Sequence, residues 1–416
     1  MIFEFKNLGS IKEAQIEMGN LTVICGKNNT GKTYLTYAVY GFLKKLENYI
    51  NAPNSILKRY AQNIVDELAE KDEITINIKE YYEVLQIELK SEKMDFCEQI
   101  SNIFHTNSKE FENFSFDLIL DEDYIFRGEK HYLFYGDLGL SLYQEKGSEI
   151  IVLRKRKNEN LFGREYYTTQ YIIGIIFKEL FLHSFILSAD RISLKLFQKE
   201  LDFNRLKIVE ELQLKKQLFL LNEKTSRYPM PLEHNIDFLR DIEQIQRNNS
   251  FLSQNNPEII DYIENMLGIQ YQKEQGYNFI VNTKTNVAFP HYLASTSVRS
   301  LADLHFWLKH QAHEGSLLMI DEPELNLHPE NQIKMARLFA KLVNVGIKVW
   351  ITTHSDYIVK ELNNLVMLGN VSDRAEMLNR FKNEKGENEY SENDILKAED
   401  LKAYIAYNLP DGSGAT

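Results

Sequence analysis

The stretch Gly26-Lys27-Asn28-Asn29-Thr30-Gly31-Lys32-Thr33 decides how this sequence is read. It fits G-x-x-x-x-G-K-[ST], and its flanks suit a phosphate-binding loop. The apolar run Leu21-Thr22-Val23-Ile24-Cys25 precedes it and the helix-like segment Tyr34 to Leu46 follows. A strand must deliver the Gly-rich turn so that backbone N–H groups point at phosphate oxygens, backed by the positive end of a helix dipole. Lys32 is then expected to reach the β- and γ-phosphates, and Thr33 to place its hydroxyl on Mg²⁺.

The 416-residue chain is 44% apolar and 12% aromatic, which supports a proper core divided over two or three lobes. A formal net charge of -12 argues against a surface that is basic throughout, so a DNA contact is expected only as a local patch or through a partner. Cys25 and Cys97 have no metal-ligand spacing, and a disulfide at Cys25 would obstruct the loop, so a reducing cytoplasm fits best. Met1 to Lys6 carries an early acid and lacks the apolar core of a signal peptide, and no run of about 18 apolar residues occurs. The chain therefore reads as soluble and cytoplasmic, without a membrane.

Moving outward from the loop, Met1 to Ile16 reads as two short strands around Gly9-Ser10. Ile56 to Leu68 is helical in pattern, Ile74 to Ile78 strand-like, Tyr82 to Leu89 ambiguous, and Phe114 to Tyr124, Tyr132 to Tyr143 and Glu149 to Lys157 strand-like. The basic end of the last run reads as a solvated strand end. Tyr171 to Phe181 is apolar, and Phe185-Ile186-Leu187 is expected as a core strand ending at Ser188-Ala189-Asp190-Arg191. Apolar residues at helical spacing from Leu194 to Leu221 suggest a short exposed or partner-facing arm, broken at Pro229 and Pro231 before a second helix over Ile236 to Ile245. Strand signals return at Phe279 to Val281 and Val287 to Phe289, and the end, Gly412 to Thr416, looks like a cut or linker rather than a packed terminus.

Further motifs complete a site. Leu317-Leu318-Met319-Ile320-Asp321-Glu322 is an apolar run ending in two carboxylates, as a buried parallel strand ends at a site. Asp321 is expected to hold the magnesium shell with Thr33, and Glu322 to polarise the attacking water as general base. Val349 to Thr353 repeats the design and ends at His354, suited to bonding a γ-phosphate or the water. His328 has no matching His/Cys cluster and is rejected as a metal ligand. Ser295-Thr296-Ser297-Val298 places hydroxyls before an amphipathic helix from Leu301 to Lys309, open both to phosphate binding and to plain N-capping.

In that order, these motifs resemble the ABC-type ATPase head of SMC, DNA-repair and OLD-type proteins. They are more closely similar to stand-alone bacterial ATPases of antiviral defence, such as the Septu and retron-associated kind. The resemblance covers residues 1–50 and roughly 185–370. It implies an α/β fold, an ABC-type P-loop head with a mixed α+β insertion and a short helical arm. The division it suggests is 1–47 and 277–370 as head, 48–183 as inserted lobe, 184–276 as core strand plus arm, and 371–416 as polar tail. Gly26 to Thr33 becomes the Walker A loop, Asp321 and Glu322 the Walker B pair, Glu324 to Pro329 the D-loop, and His354 the switch histidine. Ser295 to Val298 occupies the signature position without L-S-G-G-Q, and Ser188 to Arg191 is similar to a small-residue, acid and Arg element of these ATPases. The cofactors implied are ATP and Mg²⁺. The implied partner across the nucleotide is a second copy of the chain, whose signature would close the site.

The leading expectation is thus an ATPase working as a head dimer that controls an effector nuclease in trans. About 60 residues follow His354, and their acids lie in polar sequence without core strands, which argues against a nuclease in cis. A chromosome-maintenance or repair ATPase acting on DNA is the second reading, and a transporter subunit, which would call for L-S-G-G-Q, the third.

Overall fold

The structure is a computed structural model that describes residues 1–52, 56–120, 140–145, 147–156, 182–194, 228–274, 277–290, 293–381, 390–409 and 414–416. The expected Tyr171 to Phe181 run and nearly all of the Leu194 to Leu221 arm lie outside the described residues.

Strands β1 (Ile2–Leu8) and β2 (Ile11–Glu17) form the hairpin expected around Gly9-Ser10, and β3 (Leu21–Gly26) leads into the loop and helix α1 (Lys32–Asn51). Next come α2 (Ile56–Glu70), β4 (Glu73–Asn77) and α3 (Ile78–Phe104), which resolves the ambiguous Tyr82 to Leu89 segment as helix. Asn77 caps α3, accepting the Lys79 N–H at 3.0 Å. Strands β5 (Ser115–Ile119), β6 (Leu140–Tyr143), β7 (Ile150–Lys155) and β8 (Ser184–Leu187) follow. Antiparallel pairing of β4, β7 and β6 makes a small separate sheet that, with α2 and α3, is the mixed α+β element expected in the insertion.

Helix α4 (Met230–Ile245) holds Pro231 in its first turn. The second helix, expected from Ile236, starts at Met230 instead, because a proline in the first turn gives up no intrahelical hydrogen bond; the Leu194 to Leu221 arm that it was expected to break lies almost wholly outside the described residues. Helices α5 (Phe251–Asn255) and α6 (Pro257–Leu267) lead to the hairpin strands β9 (Ile269–Glu274), β10 (Tyr277–Asn282) and β11 (Ala288–Pro290). Then come α7 (Thr296–His310), β12 (Leu317–Asp321), α8 (Pro329–Asn344), β13 (Lys348–Thr353), α9 (Asp356–Gly369) and α10 (Arg374–Arg380). The chain closes on β14 (Leu401–Asn408) and β15 (Gly414–Ala415).

Among the described residues one sheet holds nine strands in the order β5-β1-β2-β15-β14-β3-β13-β12-β8. Pairing is parallel from β14 through β3, β13 and β12 to β8, whereas β1 pairs antiparallel with β2 and β5. Strands β12 and β13 are buried on both faces, and their near-continuous apolar sequences are what a covered parallel sheet requires. One face, carrying Ile24, Met319 and Trp350, packs into a core shared with Leu35, Val39 and Phe42 of α1. The other, carrying Val23, Ile320 and Ile351, packs into a core shared with α7, α8 and α9. The Trp350 indole N–H donates to Thr36 Oγ1 at 3.0 Å in a fully buried setting, pinning α1 to β13.

The reading of the C-terminal end as an unpacked cut or linker is corrected. Strand β14 lies against β3, and Gly414–Ala415 is buried between β14 and β2, with the Gly414 N–H bonded to Ser10 O at 2.6 Å. The segment is polar, but its main chain supplies the pairing, and that signal is invisible in side-chain hydropathy.

Candidate functional site

The C-terminal ends of β3, β12 and β13 lie side by side, so the loop after β3, the acids after β12 and the histidine after β13 emerge together. Within the loop, the Lys32 ammonium is almost fully buried and donates to the carbonyls of Gly26 at 2.9 Å and Lys27 at 2.8 Å. Thr30 Oγ1 donates to Lys27 O at 2.9 Å, and Asn29 takes a left-handed conformation with φ 62°. Gly31 has φ 86°, and a Cβ there would stand 2.4 Å from Ile11 Cγ1, so two constraints require glycine.

Thr33 Oγ1 donates to Asp321 Oδ2 at 2.9 Å, across 288 positions of chain. Thr352 Oγ1 donates to Asp321 Oδ1. Asp321 is fully buried, and burial pushes its carboxyl above the ordinary aspartate range against the opposing hydrogen bonds from Thr352 and Thr33. A buried carboxylate beside a hydroxyl is a hard oxygen pair, and this donor set fits Mg²⁺. Thr33 and Asp321 would hold the ion.

Glu322 has φ 51°, unusual for a non-glycine residue. Its N–H bonds to Thr352 O at 3.1 Å and Thr352 Oγ1 at 3.2 Å. Its carboxylate stands 3.7 Å from His354 Nδ1. Glu324 is the residue that sequence reasoning placed only in a loop. Its Oε1 accepts from the His354 N–H at 2.7 Å and from Thr353 Oγ1 at 2.9 Å, and lies 3.1 Å from His354 Nδ1. Its Oε2 is buried with no hydrogen-bond partner among the described residues. The signal was the acid following Asp321-Glu322-Pro323, but nothing local states that it bonds a strand 29 residues away.

The structure does not bring Ser295, Thr296, Ser297 and Val298 onto this loop: among the described residues none of them hydrogen-bonds to residues 26–33, Asp321 or Glu322. Ser295 caps α7, accepting the Val298 N–H at 3.4 Å and lying 3.0 Å from Ser297 Oγ, so N-capping holds for its hydroxyl. His328 caps α8 through Nδ1, and no cluster of metal-ligating side chains occurs among the described residues. Arg191 is 1% exposed and reaches the carbonyls of both Asp321 and Glu322.

A model of the AAA ATPase domain family matches residues 1–359. The chain belongs to that family. No curated protein sequence matches it. Similar solved structures include the SMC head domain from Thermotoga maritima, at 12% identity over 86% of this chain and 90% of that one, with a TM-score of 0.33. An Smc head domain with an extended coiled coil, bound to the C-terminal domain of ScpA derived from Pyrococcus furiosus, matches at 12% identity over 86% and 90%, with a TM-score of 0.34. No described helix of this ATPase-family chain is long and apolar enough to cross a membrane.

Proposed function

We propose that the chain binds and hydrolyses ATP as an ABC-type head, with residues 26–33 as phosphate loop and Thr33 and Asp321 as the Mg²⁺-holding pair. The observation that carries this reading is the convergence of Lys32, Thr33, Asp321, Glu322 and His354 at adjacent strand ends. Lys32 exchanges its two loop carbonyls for phosphate oxygens, so its charge meets the triphosphate without a long movement. The bound Mg²⁺ supplies charge neutralisation on the phosphate oxygens. Glu322 takes a proton from the attacking water as the bond between the γ-phosphorus and the ADP oxygen breaks, leaving ADP and phosphate. His354, held by Glu324, donates toward the γ-phosphate or that water.

The remainder of the site would come from a second copy, whose α7 N-terminus, residues 295–298, faces the phosphate. A capped helix start still presents unpaired N–H groups to an anion. ATP would join two heads and hydrolysis release them. The motif order of the sequence supports a role in antiviral defence, in which this dimer governs a separate effector nuclease from the cytoplasm.

The test compares ATP turnover in the wild type and Glu322→Gln. The variant is expected to bind ATP with Mg²⁺, hydrolyse it about 10²-fold more slowly or worse, and run as a larger species in sizing experiments. Undiminished turnover would remove Glu322 as base, and a variant that stays the size of the nucleotide-free protein would remove the trans arrangement. Strong stimulation of turnover by DNA alone would favour the chromosome-maintenance reading over effector control.

A further inference from the structure

Arg191 follows β8 in the turn Ser188-Ala189-Asp190-Arg191, and among the described residues its guanidinium donates to main-chain carbonyls. Nε bonds Ser300 O at 3.1 Å, Nη1 bonds Ser188 O at 3.1 Å and Asp321 O at 3.0 Å, and Nη2 bonds Glu322 O at 3.0 Å. One planar fork therefore joins three pieces of chain: the end of β8, the turn after β12 and the N-terminal half of α7. Ser188 is itself fixed to α4, because Asn235 Oδ1 accepts its N–H at 3.0 Å and its Oγ at 2.7 Å.

The Glu322 peptide is held from both sides. Thr352 takes its N–H, Arg191 takes its carbonyl, and the backbone between them adopts φ 51°. A non-glycine residue keeps such a conformation only when its surroundings over-determine it, and here they set the direction in which the carboxylate leaves the chain. The bond to Ser300 O extends the same hold to α7, whose N-cap is Ser295 and whose first turn carries Ser297.

We infer that Arg191 is a positioning residue: it aims the Glu322 carboxylate and locks that turn to α7, so that the two move as one unit. The inference rests on the proposed ATPase reading and deepens it. In a pair of heads, the turn after β12 would serve one nucleotide and the start of α7 the other. Arg191 would then tie the state of one site to the geometry of the next. Lysine cannot take over this task, because a single ammonium cannot span carbonyls on three segments.

The experiment uses the full chain and Arg191→Lys, with ATP affinity read from a fluorescent ATP analogue and turnover from single-turnover hydrolysis. Affinity is expected to stay within about threefold while turnover falls about 10²-fold, the cost of a misplaced catalytic group. The double variant Arg191→Lys/Glu322→Gln is expected to be no slower than Glu322→Gln alone, since both changes act through one carboxylate. Wild-type turnover in Arg191→Lys, or penalties that multiply in the double variant, would overturn the inference. If Arg191→Lys loses ATP binding, Arg191→Gln is measured in the same way, and loss of binding in both makes the role structural only. Absence of ATP turnover in the wild type defeats the ATPase reading itself, and undiminished turnover in Glu322→Gln removes Glu322 as base, whereas a slow Glu322→Gln beside a normal Arg191→Lys defeats only the inference.

Discussion

Replacing Glu324 by alanine tests how far His354 depends on a residue that the motifs did not single out. In the structure one buried oxygen accepts the His354 N–H at 2.7 Å and Thr353 Oγ1 at 2.9 Å, and faces His354 Nδ1 at 3.1 Å. Glu324→Ala leaves the His354 N–H and the Thr353 hydroxyl without this acceptor, at about 1–3 kcal/mol for each buried donor. Removing a buried carboxylate whose second oxygen has no partner returns part of that, so the expected net loss of stability is about 2–4 kcal/mol. The ring of His354 also loses its orientation. Turnover should fall about 10-fold to 100-fold, part of what losing a transition-state hydrogen-bond donor costs. Glu324→Gln keeps an acceptor of the same reach and should recover most of the stability. Urea unfolding midpoints and steady-state ATP turnover check both expectations. An alanine variant as stable and as active as wild type would refute the reasoning, and a glutamine variant as damaged as alanine would replace geometry by charge as its basis.

Three further outcomes are expected. Gly31→Ala combines a left-handed backbone with a Cβ 2.4 Å from Ile11 Cγ1, so nucleotide affinity, measured by titration calorimetry, should weaken about tenfold or more. Trp350→Phe removes the buried bond to Thr36 and opens a void between β13 and α1, which should lower stability by about 2–3 kcal/mol in chemical unfolding. Glu47→Gln probes pH dependence: burial would raise the Glu47 carboxyl, but the hydrogen bond with His183 and the charge of Lys44 outweigh it and hold it at about 2. A carboxyl depressed in the folded state adds stability above its unfolded value of about 4.3, and that stability is lost as pH falls toward the folded one. Acid unfolding curves of Glu47→Gln should therefore lose less stability than wild type between about pH 4 and pH 2. Parallel curves for the two proteins would exclude this contribution.

The parts of the fold legible in the sequence are those whose cause is local. Residues 26–33 announce a phosphate loop because only a particular set of small, hydroxyl and cationic residues can wrap a phosphate after a strand. Strands β12 and β13 are legible as largely apolar runs, and Asp321 and His354 stand at or just beyond their ends. The start of α4 at Met230 rather than Ile236, the helical nature of Tyr82 to Leu89 and the pairing of Gly414–Ala415 were not legible. In each, tertiary packing or main-chain pairing overrides a weak side-chain pattern.

The candidate site divides along the same line. Sequence by itself determined which residue types could serve a nucleotide: the lysine and threonine of the loop, the paired acids and the strand-end histidine. Tertiary structure alone decided that Thr33 would meet Asp321, that Glu324 rather than Glu322 would hold His354, and that Arg191 would gather carbonyls from three segments. The reason is physical. A loop's chemistry is set by neighbours in the chain, whereas the direction of a carboxylate or guanidinium depends on hydrogen-bond partners that only strand register and helix packing bring within reach.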